Sequence, residues 1–434
     1  MPTRPSLSPQ STRAVFAALK KANGLTARLY KGDSEDRQPV HTVYGGAQLF
    51  KSDTTVKLGA LALKALNQYA PDAQTLGAAL GLPGPLAEAV YPRVLEKLRR
   101  EPVEDFRIDF EDGYGNRPDE EEDHHAVAAA EEVRKGAANG TLPPFIGIRI
   151  KTFSQELAPR SIRTLDLFVT TLAGRDRKLP SNFVVTLPKL TSAAQVAALA
   201  DLLTLLEKKL KLPARSLPLE LMIETTQSIF QADGRSSLRA LVDAAKGRCR
   251  GAHFGTYDYT AGCSITASHQ RMDHPVCDFA KHMMQVNLSG TGVTISDGAT
   301  NVMPVGDAAS VRRAWKLHFD HIQHSLVSGY YQGWDLHPAQ LATRYAAVYS
   351  FFLDGLEPAA ARLRNFIEKA AQATLVGDVF DDAATGQGLL NYFLRGRSCG
   401  AFTEAEAAKA GLTGAELQTR SFLKILEGRR KSAA

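Results

Sequence analysis

The residues of this chain best suited to chemistry sit where short apolar runs end. Asp109, Glu111 and Asp112 close FRIDFED (106–112), and Arg149 and Lys151 close FIGIRIK (145–151). Lys189 falls in FVVTLPKL (183–190), Glu224 in LELMIET (219–225), and Asp258 ends GAHFGTYD (251–258). Taken singly, each reads as a helix cap or an ion-pair partner. Their recurrence at successive run ends instead suggests a metal site. Glu224 and Asp258 would offer hard carboxylate oxygens to Mg²⁺ while leaving positions for water and substrate oxygens. A magnesium ion held so openly is a Lewis acid for an α-keto acid, and Arg149 would place fixed positive charge where an oxyanion develops. Zinc is not indicated: His124 and His125 are adjacent, and His318, His321 and His324 lie on a helix-like stretch with no HExxH spacing.

These residues need a frame that brings run ends together. Besides the five runs above, VHTVYGG (40–46), GVTISDG (292–298) and YYQGWDLHP (330–338) have strand character, making eight, and helix-like segments separate them. AAQVAALADLLTLLEKKL (193–210) and SSLRALVDAAKGR (236–248) carry apolar residues at helical spacing. The alternation predicts an α/β fold, a closed (β/α)₈ TIM barrel, in which the C-terminal strand ends surround the active site. The pattern stops near Gln340. Residues 1–340 are therefore expected to form the barrel with an N-terminal helical extension, and 341–434 a smaller helical C-terminal cap. PDEEEDHH (118–125) reads as a solvated loop or helix start, Gly45 and Gly46 as a tight strand-end turn, and Trp334 with Tyr330 and Tyr331 as packing around the last strand.

Composition narrows the function classes. The chain has 434 residues, 44% hydrophobic and 23% charged, enough for a large core. Its net charge of +6 is scattered rather than striped, which points away from nucleic acid and weakly toward an anionic substrate. Cys249, Cys263, Cys277 and Cys399 form no CxxC pair and read as reduced thiols of a cytoplasmic protein. The first residues lack the apolar core of a secretory signal. They are free of acids before Asp33, as a transit peptide would be, but read better as an ordered helix. No run is long enough to span a membrane. GxGxxG and Walker sequences are absent.

MIETTQSIF (222–230) and FGTYDYTAG (254–262) resemble the two metal-ligand motifs of citrate lyase β-subunits. LFKSDTTVKLGALALKAL, IDFEDGYG, GIRIK, LPKL and GYYQGWDLHPAQL follow that family's landmarks in the same order. The chain thus resembles the HpcH/HpaI aldolase and citrate lyase β-subunit superfamily over roughly residues 40–340. The resemblance implies that Glu224 and Asp258 bind Mg²⁺, with Mn²⁺ as a substitute. It also implies that Arg149 contacts the substrate carbonyl or carboxylate, that Glu111 and either Asp109 or Asp112 orient metal waters, and that Asp109, Glu111 and Asp112 line the substrate site. Tyr259 follows Asp258 where that family has Leu, and the chain is longer than a simple citrate lyase β-subunit.

VFDDAATGQGLLNYFLRG (379–396) is similar to the Glu-Asp-Ala-Ala-Thr segment of malate synthases, and malyl-CoA lyases carry a comparable Asp on a C-terminal domain. Asp382 then matches the catalytic base and Asp381 the Glu position. The competing reading of Asp382 is a helix N-cap. The resemblance implies Claisen or aldol chemistry on a small keto acid such as glyoxylate, with an acyl-CoA thioester as donor, run as synthase or lyase by a homo-oligomer. Two alternatives stay open: a class II pyruvate aldolase needing no coenzyme A, and a non-catalytic barrel that binds a keto acid or acyl-CoA.

Overall fold

Alternation within the strands decides which side of the sheet each residue faces. In DFRID (105–109), Phe106 and Ile108 join the apolar core shared with the helices, while Asp105, Arg107 and Asp109 take the intervening positions. LELMI (219–223) repeats this, with Leu219, Leu221 and Ile223 in the core and Glu220 between them. Arg107 bonds Glu220 from a strand three places away, which is possible only across the interior of a closed sheet.

The computed structural model describes residues 6–32, 34, 36–368, 374–376, 379–381 and 383–433. Helix α1 (Pro9–Leu29) precedes β1 (His41–Gly46), and α2 (Thr54–Tyr69), α3 (Ala73–Leu80) and α4 (Gly84–Arg100) lead to β2 (Asp105–Asp109). Then α5 (Asp119–Asn139), β3 (Phe145–Arg149), α6 (Ala158–Ala173), β4 (Phe183–Leu187), α7 (Ala193–Leu210) and β5 (Leu219–Ile223) follow in strict alternation. The second half runs α8 (Thr226–Ile229), α9 (Leu238–Ala244), β6 (Cys249–Phe254), α10 (Thr256–Gly262), α11 (Pro275–Leu288), β7 (Thr294–Ser296), α12 (Ala308–Val327), β8 (Gly333–Asp335) and α13 (Leu341–Asp354). Beyond it lie α14 (Leu356–Glu368), a two-stranded hairpin of β9 (Thr374–Val376) and β10 (Val379–Asp381), α15 (Ala383–Ser398), α16 (Glu404–Ala408), α17 (Gly414–Gln418) and α18 (Phe422–Ala433).

The eight strands pair in parallel in the order β7-β6-β5-β4-β3-β2-β1-β8. The fold is a (β/α)₈ barrel, and each of the eight runs read from the sequence overlaps one of its strands, with β2 and β6 starting one and two residues earlier than expected. The last seam, between β7 and β8, is closed by an isolated bridge from Ala299 to Trp334. Two backbone bonds reinforce it, Asp297 N–H to Gln332 O at 2.8 Å and Trp334 N–H to Gly298 O at 2.9 Å.

Helix boundaries have local causes. α5 begins after Pro118, and Asp119 to Glu122 fill its first turn, where carboxylates complement the helix dipole, so the charged run is a helix start. α7 starts at Ser192 through a capping box with Gln195. α13 follows β8 and buries Leu341 through Ser350 without a break, against α4 and α12, in the place of an eighth barrel helix. No helix among the described residues is long and apolar enough to cross a membrane. α1 has no buried residue.

The C-terminal helices attach at the other end of the barrel from the strand C-termini. Arg395 of α15 donates to Gln38 Oε1 at 2.7 Å and lies 5.0 Å over the Tyr331 ring. Gln38 and Tyr331 sit just before β1 and β8, hence at the N-terminal end of the strands.

Candidate active site at the barrel mouth

Register brings the mouth residues level: Gly46 is abreast of Asp109, and Asp109 of Arg149. Gly45 and Gly46 are not turn glycines, since neither has positive φ. A Cβ on Gly45 would meet Phe106 Cζ at 2.7 Å, and one on Gly46 would meet Gly113 O at 2.5 Å. Close approach of Phe106 on β2 and of the loop after β2 explains them.

Arg149 and Asp109 form a two-pronged pair, Nε to Oδ1 at 2.7 Å and Nη2 to Oδ2 at 2.6 Å. Asp109 also accepts the Glu111 N–H at 3.0 Å and the Gly113 N–H at 2.7 Å, so protein donors use both of its oxygens. The third guanidinium nitrogen, Nη1, lies 3.3 Å from Glu111 Oε2. One face of Arg149 lies 4.8 Å from the Tyr44 ring, which in turn packs 4.7 Å from Trp334. Trp334 is therefore a wall of the mouth. Burial alone would lower the Arg149 pKa, but Asp109 and Glu111 outweigh it and hold the guanidinium charged.

Lys189 stands among the carboxylates. Its Nζ is 2.5 Å from Glu111, 3.0 Å from Asp112 and 3.4 Å from Asp258. Burial would lower its pKa, yet Glu224 and Glu111 raise it overall. Its backbone is left-handed at φ +50°, a conformation costing an L-residue about 1–2 kcal/mol. That geometry aims the Lys189 N–H at Glu224 Oε1, 2.7 Å away.

Glu224 is 2% exposed. Burial pushes its carboxyl up to about 7, with Lys189 opposing and Asp258 adding to the rise. Gly255 makes room for it, since a Cβ there would lie 2.5 Å from Glu224 Oε2. Asp258 occupies the first turn of α10, its side chain 42% exposed. Burial also raises Glu111, whereas for Asp112 it is outweighed by hydrogen bonding with Glu111 and Lys189, which lowers it.

The structure thus brings Asp109, Glu111, Asp112, Arg149, Glu224 and Asp258 to one mouth, tied together by Lys189. Lys151 is not part of it: its Nζ donates to Phe110 O at 2.5 Å and pairs with Glu122 at 2.9 Å, bracing β2 against α5. Asp382 lies outside the described residues. Gln387, five residues on, lines a cavity with Lys31 and Gly32, and Gly32 N–H donates to Gly290 O in the loop entering β7, so this part of α15 sits at the end opposite the mouth.

Among the described residues no group of three His, Cys, Asp or Glu side chains is arranged to hold a metal ion. Glu224 and Asp258 still fit a hard divalent cation that keeps most of its shell as water and substrate oxygen, because such ions take only one or two protein carboxylates. The glycine cradle at 255 leaves Glu224 Oε2 uncrowded for that purpose.

Sequence reading missed a second polar cluster deeper in the barrel. Arg107 pairs with Asp105 and bonds Glu220 at 2.6 Å and Thr186 at 3.2 Å. His253 Nε2 lies 3.1 Å from Glu220, and Thr42 donates to Asp105 at 2.9 Å. The period-2 alternation of polar and apolar residues in FRIDF and LELMI was the available signal. Of the helix histidines, His318 and His321 are buried, and His318 is bonded to Asp335 and Thr343.

A family model described as a domain of unknown function, DUF6986, matches residues 19–425. No curated protein matches the sequence. Among solved structures, a citrate lyase from Burkholderia xenovorans LB400 aligns with a TM-score of 0.58 at 19% identity, over 87% of this chain and 97% of that one. At that identity the likeness is one of fold. A malate synthase from Haloferax volcanii aligns at a TM-score of 0.49 and 15% identity, over 90% of this chain and 99% of that one.

Proposed function

The chain belongs to the DUF6986 family, and for it we propose a magnesium-dependent carbon–carbon lyase or synthase acting on a small keto acid or its hydroxyacyl adduct. The carrying observation is the convergence at one barrel mouth of Glu224, Asp258, Arg149 and Lys189, at the positions that resemble the citrate lyase β-subunit motifs. Glu224 and Asp258 would hold Mg²⁺, or Mn²⁺ in its place, and the ion would supply Lewis-acid polarisation of the keto acid.

The remaining work falls to side chains. Asp109 fixes the Arg149 fork, and an incoming substrate oxygen replaces Glu111 at Arg149 Nη1. Lys189, pinned by Glu111 and Asp112, keeps the carboxylates apart. Tyr44 and Trp334 wall the mouth against water. The Asp382 carboxylate takes a proton from the donor's α-carbon. That carbon then bonds to the keto-acid carbonyl carbon, whose oxygen becomes an alkoxide beside Arg149 and is protonated on release. In reverse, the same groups cleave the bond. An acyl-CoA thioester is the donor in this reading.

The expected division into a barrel of 1–340 and a cap of 341–434 enters with one adjustment, that α13 stays with the barrel. Because the α15 residues beyond Asp382 dock at the opposite end, we assign Asp382 to a neighbouring copy's mouth within a cytoplasmic homo-oligomer.

Screening keto acids in magnesium, with and without acetyl-CoA, tests the reading. Turnover is expected only with a thioester donor, and turnover of pyruvate alone would favour the coenzyme A-free aldolase. Glu224→Gln should abolish magnesium binding by calorimetry, and unchanged binding in both Glu224→Gln and Asp258→Asn removes the metal assignment. Asp382→Asn should slow exchange of the donor's α-protons with deuterated solvent by about 10²–10⁴-fold while leaving magnesium binding intact. Full exchange in that variant sinks the base.

A further inference from the structure

Helix α1 is amphipathic, yet it buries none of its residues against the rest of the chain. Val15, Leu19, Ala22, Thr26 and Leu29 recur at intervals of three and four residues and so share one face, with Phe16 and Leu25 beside them. Arg13, Lys20, Lys21 and Arg28 fall on the opposite side, and the helix carries no acid. With Gly24 in its interior, such a segment gains little from propensity and draws its stability from packing an apolar face. Among the described residues, α1 is fastened at its last turn. Arg239 of α9 donates to Leu29 O at 3.4 Å and lies 5.4 Å from the Tyr30 ring, and Gly32 N–H donates to Gly290 O at 2.9 Å.

A second uncovered apolar face lies beside that root. Phe279 and Val286 stand two turns apart on one side of α11, which ends at Leu288 just before Gly290. Phe230 stacks on Phe279 with ring centroids 6.2 Å apart. All three side chains are exposed, Val286 to 78%. The faces of α1 and α11 do not meet within one copy, because both are open.

We propose that the two faces cover each other between two copies of the chain, α1 of each lying across α11 of the other about a two-fold axis. Area selects this arrangement. With a large apolar side chain taken at about 150–200 Å² when fully exposed, Val15, Phe16, Leu19, Leu25 and Leu29 leave about 450 Å² open, and Phe230, Phe279 and Val286 about 300 Å². Exchange in both directions removes about 1,500 Å² from water, inside the roughly 1,200–2,000 Å² of specific protein interfaces, whereas pairing α1 with α1 alone removes about 900 Å² and leaves the α11 face bare. A membrane surface could receive α1, but it too leaves the α11 face without a partner. The contact is isologous, each copy giving an arm and receiving one, and the basic side of α1 stays in solvent. It does not rest on the reaction assigned to the mouth, since neither helix carries a residue of that site.

Sedimentation equilibrium of the full chain tests the proposal. The wild-type protein should have twice the monomer mass or an even multiple of it. Leu19→Lys on the α1 face and Phe279→Lys on the α11 face should each weaken the association about tenfold or more, with near-UV circular dichroism showing the barrel still folded. Val286→Lys, on the same face of α11, replaces Phe279→Lys if that variant unfolds. Mixing the two variants is the sharper measurement. A dimer of one Leu19→Lys copy and one Phe279→Lys copy gathers both lesions in one arm contact and keeps the other intact, so the mixture should associate more tightly than either variant alone. A monomeric wild type, undiminished association in Leu19→Lys or in both α11 variants, or a mixture no tighter than its components overturns the exchange. Disruption by Leu19→Lys alone identifies α1 pairing with α1 instead, and a monomeric wild type that sediments with anionic phospholipid vesicles identifies α1 as a membrane arm.

Discussion

Glu220 on β5 and Glu224 just past its C-terminal end stand four residues apart and point into the same barrel, yet their surroundings drive them in opposite directions. Burial raises the pKa of both. At Glu220 the Arg107 guanidinium and His253 outweigh it and hold the carboxyl well below its usual range. At Glu224 the Lys189 ammonium offsets burial only in part, Asp258 adds repulsion, and the carboxyl is pushed up to about 7. The deep cluster is compensated by its own members, although Asp105, which shares Arg107 with Glu220, is still raised by burial. The mouth keeps a deficit of positive charge at one carboxylate. The deep network is closed on itself, whereas the mouth leaves Glu224 incompletely compensated.

Removing the deep cation should break that contrast most severely. Arg107→Met leaves Asp105 and Glu220 buried without their shared partner, and a loss of about 3–5 kcal/mol in unfolding free energy is expected from urea denaturation. A smaller loss would mean that the deep cluster is no more compensated than the mouth.

Glu224→Gln should act in the opposite sense in divalent-free buffer. A carboxyl whose folded pKa lies above its unfolded value holds a proton in the native state that the unfolded chain has released. Glu224 therefore costs stability progressively as pH rises from about 4.5 to 7, and the cost is complete above 7. At pH 8 the Gln variant should gain on the order of 3 kcal/mol, and little at pH 4. A pH-independent difference would show that Glu224 is as well paired as Glu220.

The smallest expected change sharpens the mouth itself. Arg149→Lys preserves charge but can no longer grip both Asp109 oxygens and still present Nη1. Turnover should fall roughly tenfold or more, with a loss of about 1 kcal/mol in stability. Intact turnover would take Arg149 out of the chemistry.

Much of this was legible beforehand, and for identifiable reasons. Strand runs such as FIGIRIK and FVVTLPKL are short, apolar and bracketed by polar ends, so eight could be counted and joined into a barrel. Helix α7 was bounded correctly because its apolar residues recur at helical spacing from Ala193 to Leu210. The mouth residues were visible because they interrupt apolar runs at their ends. Arg107, Glu220 and His253 interrupt them in the middle, where parallel strands covered on both sides are expected to be apolar, and so escaped notice. Lys151 was misplaced because nothing local shows that Glu122, on the preceding helix, draws it away from the mouth. The docking of α15 at the far end depends on Gln38 and Tyr331, more than 350 and 60 residues distant respectively, and no local pattern encodes it.

The seam between β7 and β8 gives the barrel a preferred place to breathe. Both strands are three residues long, and the bonds that join them need the flanking residues Asp297, Gly298 and Gln332, with Gly298 pressed against Thr256. A rolled sheet whose edges meet over so short a span opens there before it opens elsewhere. Amide hydrogens at Asp297 and Trp334 should exchange faster than those of β2 to β5, and because Trp334 also walls the mouth, each opening would expose the Tyr44 and Arg149 side of the site to solvent.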